Sequence, residues 1–258
     1  MEISDKPANP MLGESIALVE SKNGKNKIVY LKEGNSTKSF ECEGDEKCLL
    51  IPNVSKERQV IYCSGMSGSG KSYYIMQYSK QYQKMYPKND VILFSGLDSD
   101  EGSLDKIKNL KRFNISADDF LEEDFQSENF KDCLVIFDDL ESINNKLIFN
   151  KVMKIQETLL TTGRHSRTSV AVSNHSVANG RVTKLILNKS NVIVIFKSGL
   201  GNRILKYILD QYLGLDKDQI IKIKRLRGSR SITIIKSSYP MVLLYDRGGY
   251  VLAAEEDD

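Results

Sequence analysis

The sequence predicts an α/β protein of three layers, with helices on both faces of a mostly parallel central sheet. From Val60 onward, short apolar stretches alternate with stretches of helical periodicity, and this alternation is typical of parallel sheets. The apolar runs, such as residues 192–196, are strand-sized and far shorter than the ~20 residues of a membrane span. A length of 258 residues is enough to bury one large core. We therefore expect one α/β unit with modest additions.

The segment before Val60 predicts a small β-rich extension. Residues 14–52 alternate short apolar stretches with turn-forming residues such as Asn23 and Gly24, a pattern that favours two or three strands. The residues that follow predict the elements of the core: strand 60–64, helix 70–86, strand 91–95, helical segments 105–110 and 117–128, strand 133–138, helix 142–162, strands 168–174 and 191–196, helix 202–213, and strands 231–235 and 241–244.

Helical periodicity identifies the buried faces of two of these helices. In the segment 142–162, apolar residues recur at helical spacing at Ile148, Val152, Ile155 and Leu159. In the segment 70–86, a tyrosine stands at every fourth position, at Tyr74, Tyr78, Tyr82 and Tyr86. Packing against the sheet explains the tyrosines most simply, and base stacking by one of them is the alternative.

Residues 65–72 fit the phosphate-binding pattern G-x-x-x-x-G-K-[ST], and they stand between a predicted strand and a predicted helix. The backbone N–H groups of such a loop converge on phosphate oxygens at a helix N-terminus. Lys71 would reach the β- and γ-phosphates, and the Ser72 hydroxyl would hold Mg²⁺. The predicted cofactors are therefore ATP and Mg²⁺. The residues predicted to bind the nucleotide are Gly65, Met66, Ser67, Gly68, Ser69, Gly70, Lys71, Ser72 and Tyr73.

Two aspartates follow the apolar strand 134–137, 66 residues beyond Ser72. Asp138 ends the strand and is placed to orient the water shell of Mg²⁺, so Ser72 and Asp138 are the predicted metal-site residues. Asp139 follows where the strand gives way to a loop, and a second acid there can polarise the attacking water as a general base. Glu141 is the alternative base.

The strand 168–174 ends in polar residues. In P-loop ATPases with an additional catalytic acid, the corresponding strand lies between the phosphate-loop strand and the magnesium-acid strand, and a polar side chain at its end senses the γ-phosphate. We predict Asn174 for this role because an amide orients water without changing protonation state. His175 is the alternative, and an imidazole would bring pH dependence near its ordinary pKa of ~6.5.

Gly163 to Arg167 form a basic segment after the long helix, and we expect this segment at the catalytic edge of the sheet. A helix C-terminus favours cations, which is the simplest explanation. The alternative is an arginine finger, which neutralises charge on the phosphoryl oxygens and contributes about 10³–10⁵ in rate. We favour Arg164 over Arg167 for this role, acting across a subunit boundary.

The charge of +3 is unevenly distributed. Residues 175–254 hold 14 Lys and Arg against 4 acidic residues, and the chain ends in the acidic tail 255–258. Six of the basic residues fall within fifteen positions that contain no acid: Lys222, Lys224, Arg225, Arg227, Arg230 and Lys236. Solvated charged faces explain such a run as well as contact with DNA phosphates does.

The four cysteines, Cys42, Cys48, Cys63 and Cys133, do not form a disulfide scaffold in a chain of this length. No C-x-x-C pattern and no nearby histidine supports a metal site at Cys42 and Cys48. No signal segment opens the sequence, so we expect a soluble protein that is not inserted into a membrane.

Together these residues resemble the genome-packaging ATPases of large nucleocytoplasmic DNA viruses, which belong to the FtsK–HerA superfamily of P-loop NTPases. The resemblance covers roughly residues 45–250. Its motifs are the loop 65–72, Ile136 to Asp139, Thr162 to His165 with the Asn174–His175 strand end, and 231–234 with Tyr239–Pro240. The superfamily's bacterial members usually carry Glu as the second acid and Gln at the sensor position, where this chain has Asp139 and Asn174 or His175.

The resemblance implies an ATP-hydrolysing translocase that packages a viral genome. The implied partners are double-stranded DNA bound without sequence preference, further copies of the chain in a pentameric or hexameric ring, and a capsid or portal protein. The implied location is the host cytoplasm at the virus assembly site, or the virion. The implied division is an N-terminal extension (1–57), a P-loop ATPase core (58–200), a C-terminal helix and strands that complete the ATPase domain (201–254), and the tail.

Three other functions fit parts of the pattern. A small-molecule kinase shares the phosphate loop but needs an arginine-rich lid, which the sequence lacks. An AAA-type ATPase or helicase acting on nucleic acid usually ends in a helical lid, whereas residues 231–250 predict strands. A nucleotide-gated scaffold would not need the lysine, magnesium acid and base together.

Overall fold

A ten-stranded sheet is the centre of the structure. The computed structural model describes residues 1–32, 37–97, 103–117, 119–175, 180–198 and 200–252, without the side chains of 180–182. The acidic tail 255–258 therefore lies outside the described residues. The strands are β1 (Glu2–Ser4), β2 (Glu14–Glu20), β3 (Lys27–Leu31), β4 (Ser39–Glu41), β5 (Lys47–Leu50), β6 (Val60–Ser64), β7 (Val91–Ser95), β8 (Leu110–Arg112), β9 (Leu134–Asp138), β10 (Ser169–Asn174), β11 (Val192–Phe196), β12 (Ser231–Ile235), β13 (Val242–Tyr245) and β14 (Gly248–Val251).

The central sheet has the order β4-β14-β13-β12-β11-β6-β10-β9-β7-β8. The six strands from β11 to β8 are parallel, and β12, β13, β14 and β4 extend the sheet in antiparallel pairing. β10 lies between β6 and β9, as the sequence predicts for the strand that ends in Asn174. The carboxyl ends of β6, β9 and β10 therefore meet at one edge of the sheet.

Helices cover both faces of the sheet. They are α1 (Lys71–Met85), α2 (Lys146–Thr162), α3 (Gly180–Lys189), α4 (Asn202–Tyr207) and α5 (Lys217–Arg225), with a π-helical turn at Ile208–Tyr212. The Asn145 side chain accepts hydrogen bonds from the first amides of α2, and Asp216 does the same for α5, which satisfies N–H groups that have no partner within the helix. Among the described residues, no helix combines the length and apolar character needed to cross a bilayer.

The alternation of side chains along the strands builds two cores. Along β9, Val135 and Phe137 pack with the apolar face of α2, while Leu134 and Ile136 pack with the α1 side. Both faces of the strand are fully buried, which is why it is almost wholly apolar. The predicted three-layer arrangement is thus present.

The N-terminal residues form a second sheet of four antiparallel strands in the order β1-β3-β2-β5. For residues 14–52 the sequence predicts two or three strands, and the structure has four, β2 to β5. The additional strand β4 is only three residues long, and β1, which is equally short, precedes this segment. β4 pairs with β14 at the edge of the central sheet. The N-terminal segment therefore contributes directly to the core sheet, and the division at residue 57 stays a prediction.

The predicted helical connection at 105–110 and 117–128 is wrong. Short 3-10 turns at Leu104–Lys106 and Ser127–Phe130 flank the edge strand β8. Four phenylalanines of this region, Phe113, Phe120, Phe125 and Phe130, form one aromatic cluster that reaches Phe94 of β7. Burial of these rings, rather than local helix propensity, sets the path of the chain. The sequence pattern also does not predict α3, α5 or β14.

Candidate active site

The loop between β6 and α1 has the backbone shape of a phosphate cradle. Gly68 and Gly70 have φ values of +71° and +110°, a region that side-chain-bearing residues rarely adopt. A Cβ atom at Gly65 would lie 2.6 Å from Phe196 Cβ, and one at Gly70 would lie 3.3 Å from Phe196 Cε1. The glycines are therefore required both for the turn and for its close packing on the end of β11.

Lys71 is folded into this cradle and is only 5% exposed. Its Nζ donates hydrogen bonds to the carbonyl oxygens of Gly65 at 2.9 Å and Met66 at 3.1 Å. It also lies 3.3 Å from His175 Nδ1. An ammonium has three N–H donors and no acceptor, so these contacts use all of its donors. A phosphate oxygen that engages Lys71 must displace one of them.

Ser72 and Asp138 form the second half of the site. Asp138 ends β9, is 2% exposed, and lies on the α1 side because it continues the alternation of Leu134 and Ile136. Its Oδ2 accepts a hydrogen bond of 3.2 Å from Ser72 Oγ. Hydroxyl and carboxylate oxygens are the ligands that Mg²⁺ prefers. The donor set of this pair therefore fits the predicted metal.

Asp139 turns toward the same site. Its φ of +48° is unusual for a residue with a side chain, and the residue leads into a 3-10 turn at Leu140–Ser142. The turn brings Asp139 Oδ1 to 2.7 Å from His175 Nε2. Glu141, the alternative base, is exposed. The structure thus brings Asp139, and not Glu141, into contact with the groups around Lys71.

Asn174 and His175 lie on opposite faces of the sheet. Asn174 follows Val170 and Val172 toward α2, on the face where the Tyr62 ring is buried. Burial raises the Tyr62 pKa well above its ordinary value. His175 follows Ala171 toward α1 and contacts Lys71 and Asp139. The catalytic role of Asn174 stays a prediction, while these contacts favour His175, the alternative sensor. Successive residues of a strand point to opposite faces of the sheet, so the two-residue period of β10 could have distinguished the two residues.

Tyr73 and Met66 flank the cradle as exposed side chains. Tyr73 lies in the first turn of α1 and accepts a hydrogen bond from Gln77 Nε2 at 3.3 Å. The tyrosines that follow on α1 are involved in packing instead: the Tyr74 hydroxyl lies 2.7 Å from Thr233 Oγ1, and the Tyr78 hydroxyl donates to Gln59 Oε1 at 2.9 Å. A nucleotide contact by Tyr73, Met66, Ser67 or Ser69 stays a prediction.

The structure corrects the placement of Arg164 and Arg167. Both precede the first residue of β10, which runs parallel to β6, so they lie at the amino edge of the sheet. The catalytic edge of the same chain is a strand length away, about 16 Å for five residues. Arg164 Nε lies 3.0 Å from Glu57 Oε2, and Arg167 forms a two-pronged ion pair with Asp132. Neither arginine reaches the phosphate loop of its own chain.

The six basic residues between positions 222 and 236 do not all lie at the same edge of the central sheet. Lys222, Lys224, Arg225, Arg227 and Arg230 are exposed on α5 and the loop that follows, and we call these five residues the basic surface. Ser231 pairs with Phe196, so Arg230 lies at the catalytic edge. Lys236 is not part of this surface, because it is half-buried and donates to the carbonyl of Leu187 at the opposite edge.

The four cysteines are free thiols. Cys63 and Cys133 are buried in and beside the strands β6 and β9, and Cys42 is buried beneath the β4–β14 pair. In the described part of the chain, no group of three histidine, cysteine or carboxylate side chains is arranged as a metal site.

The chain is similar to one viral protein along most of its length. Protein V3 of the Sputnik virophage, an uncharacterized protein, is 37% identical over 237 residues, which covers 90% of this chain and 87% of V3. No family model matches the chain.

Among solved structures, the chain is similar to the genome packaging NTPase B204 of Sulfolobus turreted icosahedral virus 2. The AMP complex of B204 has a TM-score of 0.50 at 18% identity and covers 74% of this chain and 98% of B204. The AMPPCP complex has a TM-score of 0.50 at 19% identity and covers 73% and 97%. This likeness confirms the predicted α/β P-loop fold.

Proposed function

Because this chain belongs to the family of the virophage protein V3 and has the P-loop ATPase fold of a viral genome-packaging NTPase, we propose that it hydrolyses ATP to move double-stranded DNA into a capsid. One observation carries the proposal: Lys71 and Ser72 at the start of α1 and Asp138 and Asp139 at the end of β9 converge at one sheet edge. This set matches what phosphoryl transfer to water requires.

Each residue has a separate task in hydrolysis. The N–H groups of the loop 65–72 and the ammonium of Lys71 bind the phosphate oxygens. Ser72 and Asp138 would hold Mg²⁺, and the ion would neutralise charge on the phosphate groups. Asp139 accepts a hydrogen bond, and then a proton, from the water that attacks the γ-phosphate. The buried position of Lys71 and Asp138 strengthens these charge interactions.

The basic surface is the proposed contact with DNA. In the described residues, none of its five side chains forms an ion pair with a carboxylate, whereas Lys27, Lys56 and Lys111 elsewhere do. The end of this surface at Arg230 adjoins β11, whose last residue Phe196 packs on Gly65 and Gly70. A DNA backbone on this surface would lie at the same sheet edge as the nucleotide. Contacts with phosphates alone give binding without sequence preference.

A ring of five or six copies would complete the site. Arg164 cannot serve its own phosphate loop, but its side chain is 76% exposed and available to a neighbouring copy. The proposed partners are therefore DNA, further copies of the chain and a capsid or portal protein. The proposed location is the assembly site in the host cytoplasm, or the virion.

The test is ATP turnover with and without linear duplex DNA at two salt concentrations. We expect DNA to stimulate turnover, and we expect higher salt to remove the stimulation because phosphate contacts release counterions. The variant K224Q/R225Q/R227Q should lose DNA stimulation and keep the basal rate. The matched control K22Q/K25Q/K47Q removes three exposed charges near the N-terminal sheet and should behave as wild type. Stimulation by a nucleoside and not by DNA would indicate a kinase instead.

A further inference from the structure

The described part of the chain leaves the central sheet beside α5. β14 ends at Val251, and the Leu252 amide donates a hydrogen bond of 2.7 Å to the carbonyl of Met241. Leu252 is buried in the same apolar core as Ile220 and Ile223, which form the buried face of α5. The residues that follow Leu252 therefore start next to the helix that carries the first part of the basic surface.

A direct contact joins β14 to the basic surface. The ammonium of Lys222 lies 4.4 Å from the centre of the Tyr250 ring, two residues before Leu252. The face of an aromatic ring attracts a cation but does not neutralise its charge. Lys222 is thus held near the point where the chain leaves the sheet, and its charge remains available to an anion.

A shallow cleft of about 390 Å³ lies along the exposed side of α5. Lys222 and Arg225, one helical turn apart, line it together with Ile221 and Leu226. Its acidic lining residue is Asp218, one turn before Lys222 and nearer the start of the helix. The end of the cleft at Lys222 and Arg225 therefore presents two cations beside apolar side chains, which suits an acidic segment with small neighbouring residues.

The sequence after Leu252 has this composition. Residues 253–258 read Ala-Ala-Glu-Glu-Asp-Asp, so two small residues are followed by the four carboxylates of the acidic tail. Six residues span at most about 20 Å when extended, whereas Lys222 and Arg225 are only about 4.5 Å apart along the helix axis. The acidic tail is therefore long enough to reach Lys222, Lys224 and Arg225 of its own chain.

Carboxylates and DNA phosphates would compete for these cations. Both are anions that accept charge-assisted hydrogen bonds from lysine and arginine. A short tether keeps the carboxylates at an effective concentration in the millimolar range, so even weak ion pairs with the basic surface form often. DNA must displace them before its own phosphates can bind.

We propose that the acidic tail 255–258 occupies the basic surface of its own chain and competes there with DNA. This inference rests on the proposed function, in which the basic surface contacts the DNA backbone. A duplex offers many phosphates at once and displaces the tail, whereas a single phosphate group does not. The tail thus holds back DNA-stimulated ATP turnover until an extended duplex is bound.

DNA binding by a tail variant tests the competition. If the tail occupies the surface in about 70–90% of the molecules, E255Q/E256Q/D257N/D258N should bind linear duplex DNA roughly 3- to 10-fold more tightly at low salt. The affinity of this variant should also fall more steeply with salt, because DNA then displaces counterions where it displaced the tail before. Fluorescence anisotropy of labelled duplex DNA measures both quantities.

The matched control is E122Q/E123Q/D124N/E128Q, which makes the same change in net charge. These four acids are exposed in the segment after β8, at the opposite end of the central sheet. Charges separated by more than the Debye length, about 10 Å at 0.1 M salt, are largely screened. The control should therefore bind DNA as the wild type does, and equal strengthening in both variants overturns the proposal.

Zero-length cross-linking of the wild-type protein locates the tail. A water-soluble carbodiimide joins a carboxylate to a lysine amine that it contacts. We expect products that link residues 255–258 to Lys222 or Lys224, and we expect duplex DNA to suppress them. A mixture of isotope-labelled and unlabelled protein shows whether both halves of a product come from one copy. Products of mixed label alone, or links only to lysines outside the basic surface, overturn the proposal.

The DNA measurements also separate two failures. Equal binding of DNA by the wild type and the tail variant overturns the competition and leaves the proposed function standing. No binding of DNA by either protein overturns the proposed contact with DNA, and the competition with it.

Discussion

The hydroxyl of Ser72 donates a hydrogen bond of 3.2 Å to Asp138 Oδ2, and this contact joins the first turn of α1 to the end of β9. The two residues are 66 positions apart in the sequence. They meet because β10 lies between β6 and β9 and all three strands run in the same direction. The contact marks the proposed place of Mg²⁺ in the site.

Ser72→Ala is expected to lower Mg²⁺-dependent ATP turnover by about a hundredfold or more, because it removes one of the two side chains proposed to hold the ion. Ser72→Thr keeps the hydroxyl and serves as the matched control. Turnover is measured across a Mg²⁺ titration, where Ser72→Ala should need more Mg²⁺ and Ser72→Thr should not. Equal activity of the two variants would remove the hydroxyl from the metal site.

Asp139→Asn should keep nucleotide binding and lower hydrolysis by roughly 10²–10⁴-fold, the usual contribution of a positioned general base. The amide keeps the shape of the side chain but accepts a proton poorly. Glu141→Gln, on an exposed side chain of the same loop, is the control and should hydrolyse ATP normally. Loss of hydrolysis in Glu141→Gln with normal hydrolysis in Asp139→Asn would indicate that Glu141 is the base.

Arg164→Ala subunits mixed into wild-type assemblies should reduce turnover more than in proportion to their share. The reason is that Arg164 lies at the amino edge of the sheet, so it can serve only a neighbouring copy. Arg167→Ala provides the comparison, because Arg167 is held by Asp132 of its own chain. A linear loss for Arg164→Ala would mean that it does not act across a subunit boundary.

The sequence predicts the parallel half of the sheet well, because its strands are buried on both faces and are almost wholly apolar. Strands 60–64 and 91–95 agree with β6 and β7 to the residue, and the predicted position of β10 between β6 and β9 is confirmed. The edge strand β8 is missed because it is three residues long and reads Leu-Lys-Arg. Short exposed strands carry little apolar alternation, so their pairing depends on the tertiary structure.

The residues of the candidate site also fall into two groups: those whose position the local sequence determines and those whose position depends on the tertiary structure. Lys71, Ser72 and Asp138 are positioned by a continuous motif and a buried strand end, which are local properties of the sequence. The position of Arg164 depends on the direction of α2 relative to the strands, and for this reason the predicted position at the catalytic edge is wrong. The contact between His175 and Asp139 depends on the left-handed backbone of Asp139, which the sequence does not indicate.

Gly163→Ala should lower the free energy of unfolding by about 1–3 kcal/mol. A Cβ at Gly163 would lie 2.4 Å from the Leu159 carbonyl oxygen and 2.6 Å from Arg58 Nη1. Arg58 donates to the carbonyls of Leu159 and Leu160 at the end of α2, so the new methyl group would displace this cap. Urea unfolding measures the loss, and Gly201→Ala, where a Cβ meets nothing within 4 Å, is the control. Equal stability of Gly163→Ala and wild type would mean that the cap shifts freely.

Thiol labelling should be slow in the native protein and should accelerate steeply with pH. Burial raises the pKa of the Cys42 thiol to about 11 and that of Cys133 to about 12, and it also raises the pKa values of Cys48 and Cys63. Only the thiolate reacts, so at pH 8 about one Cys42 in a thousand is reactive, and each pH unit up to 11 should raise its rate about tenfold. Urea-unfolded protein, with ordinary thiols, is the control and should label rapidly at pH 8.

A raised thiol pKa in the folded state also means that the folded chain holds more protons than the unfolded chain above pH 9. The free energy of unfolding should therefore be unaffected below pH 9 and fall as the pH rises from 9 to 11. Rapid labelling of native protein at pH 8 would show that the strands covering these thiols open readily.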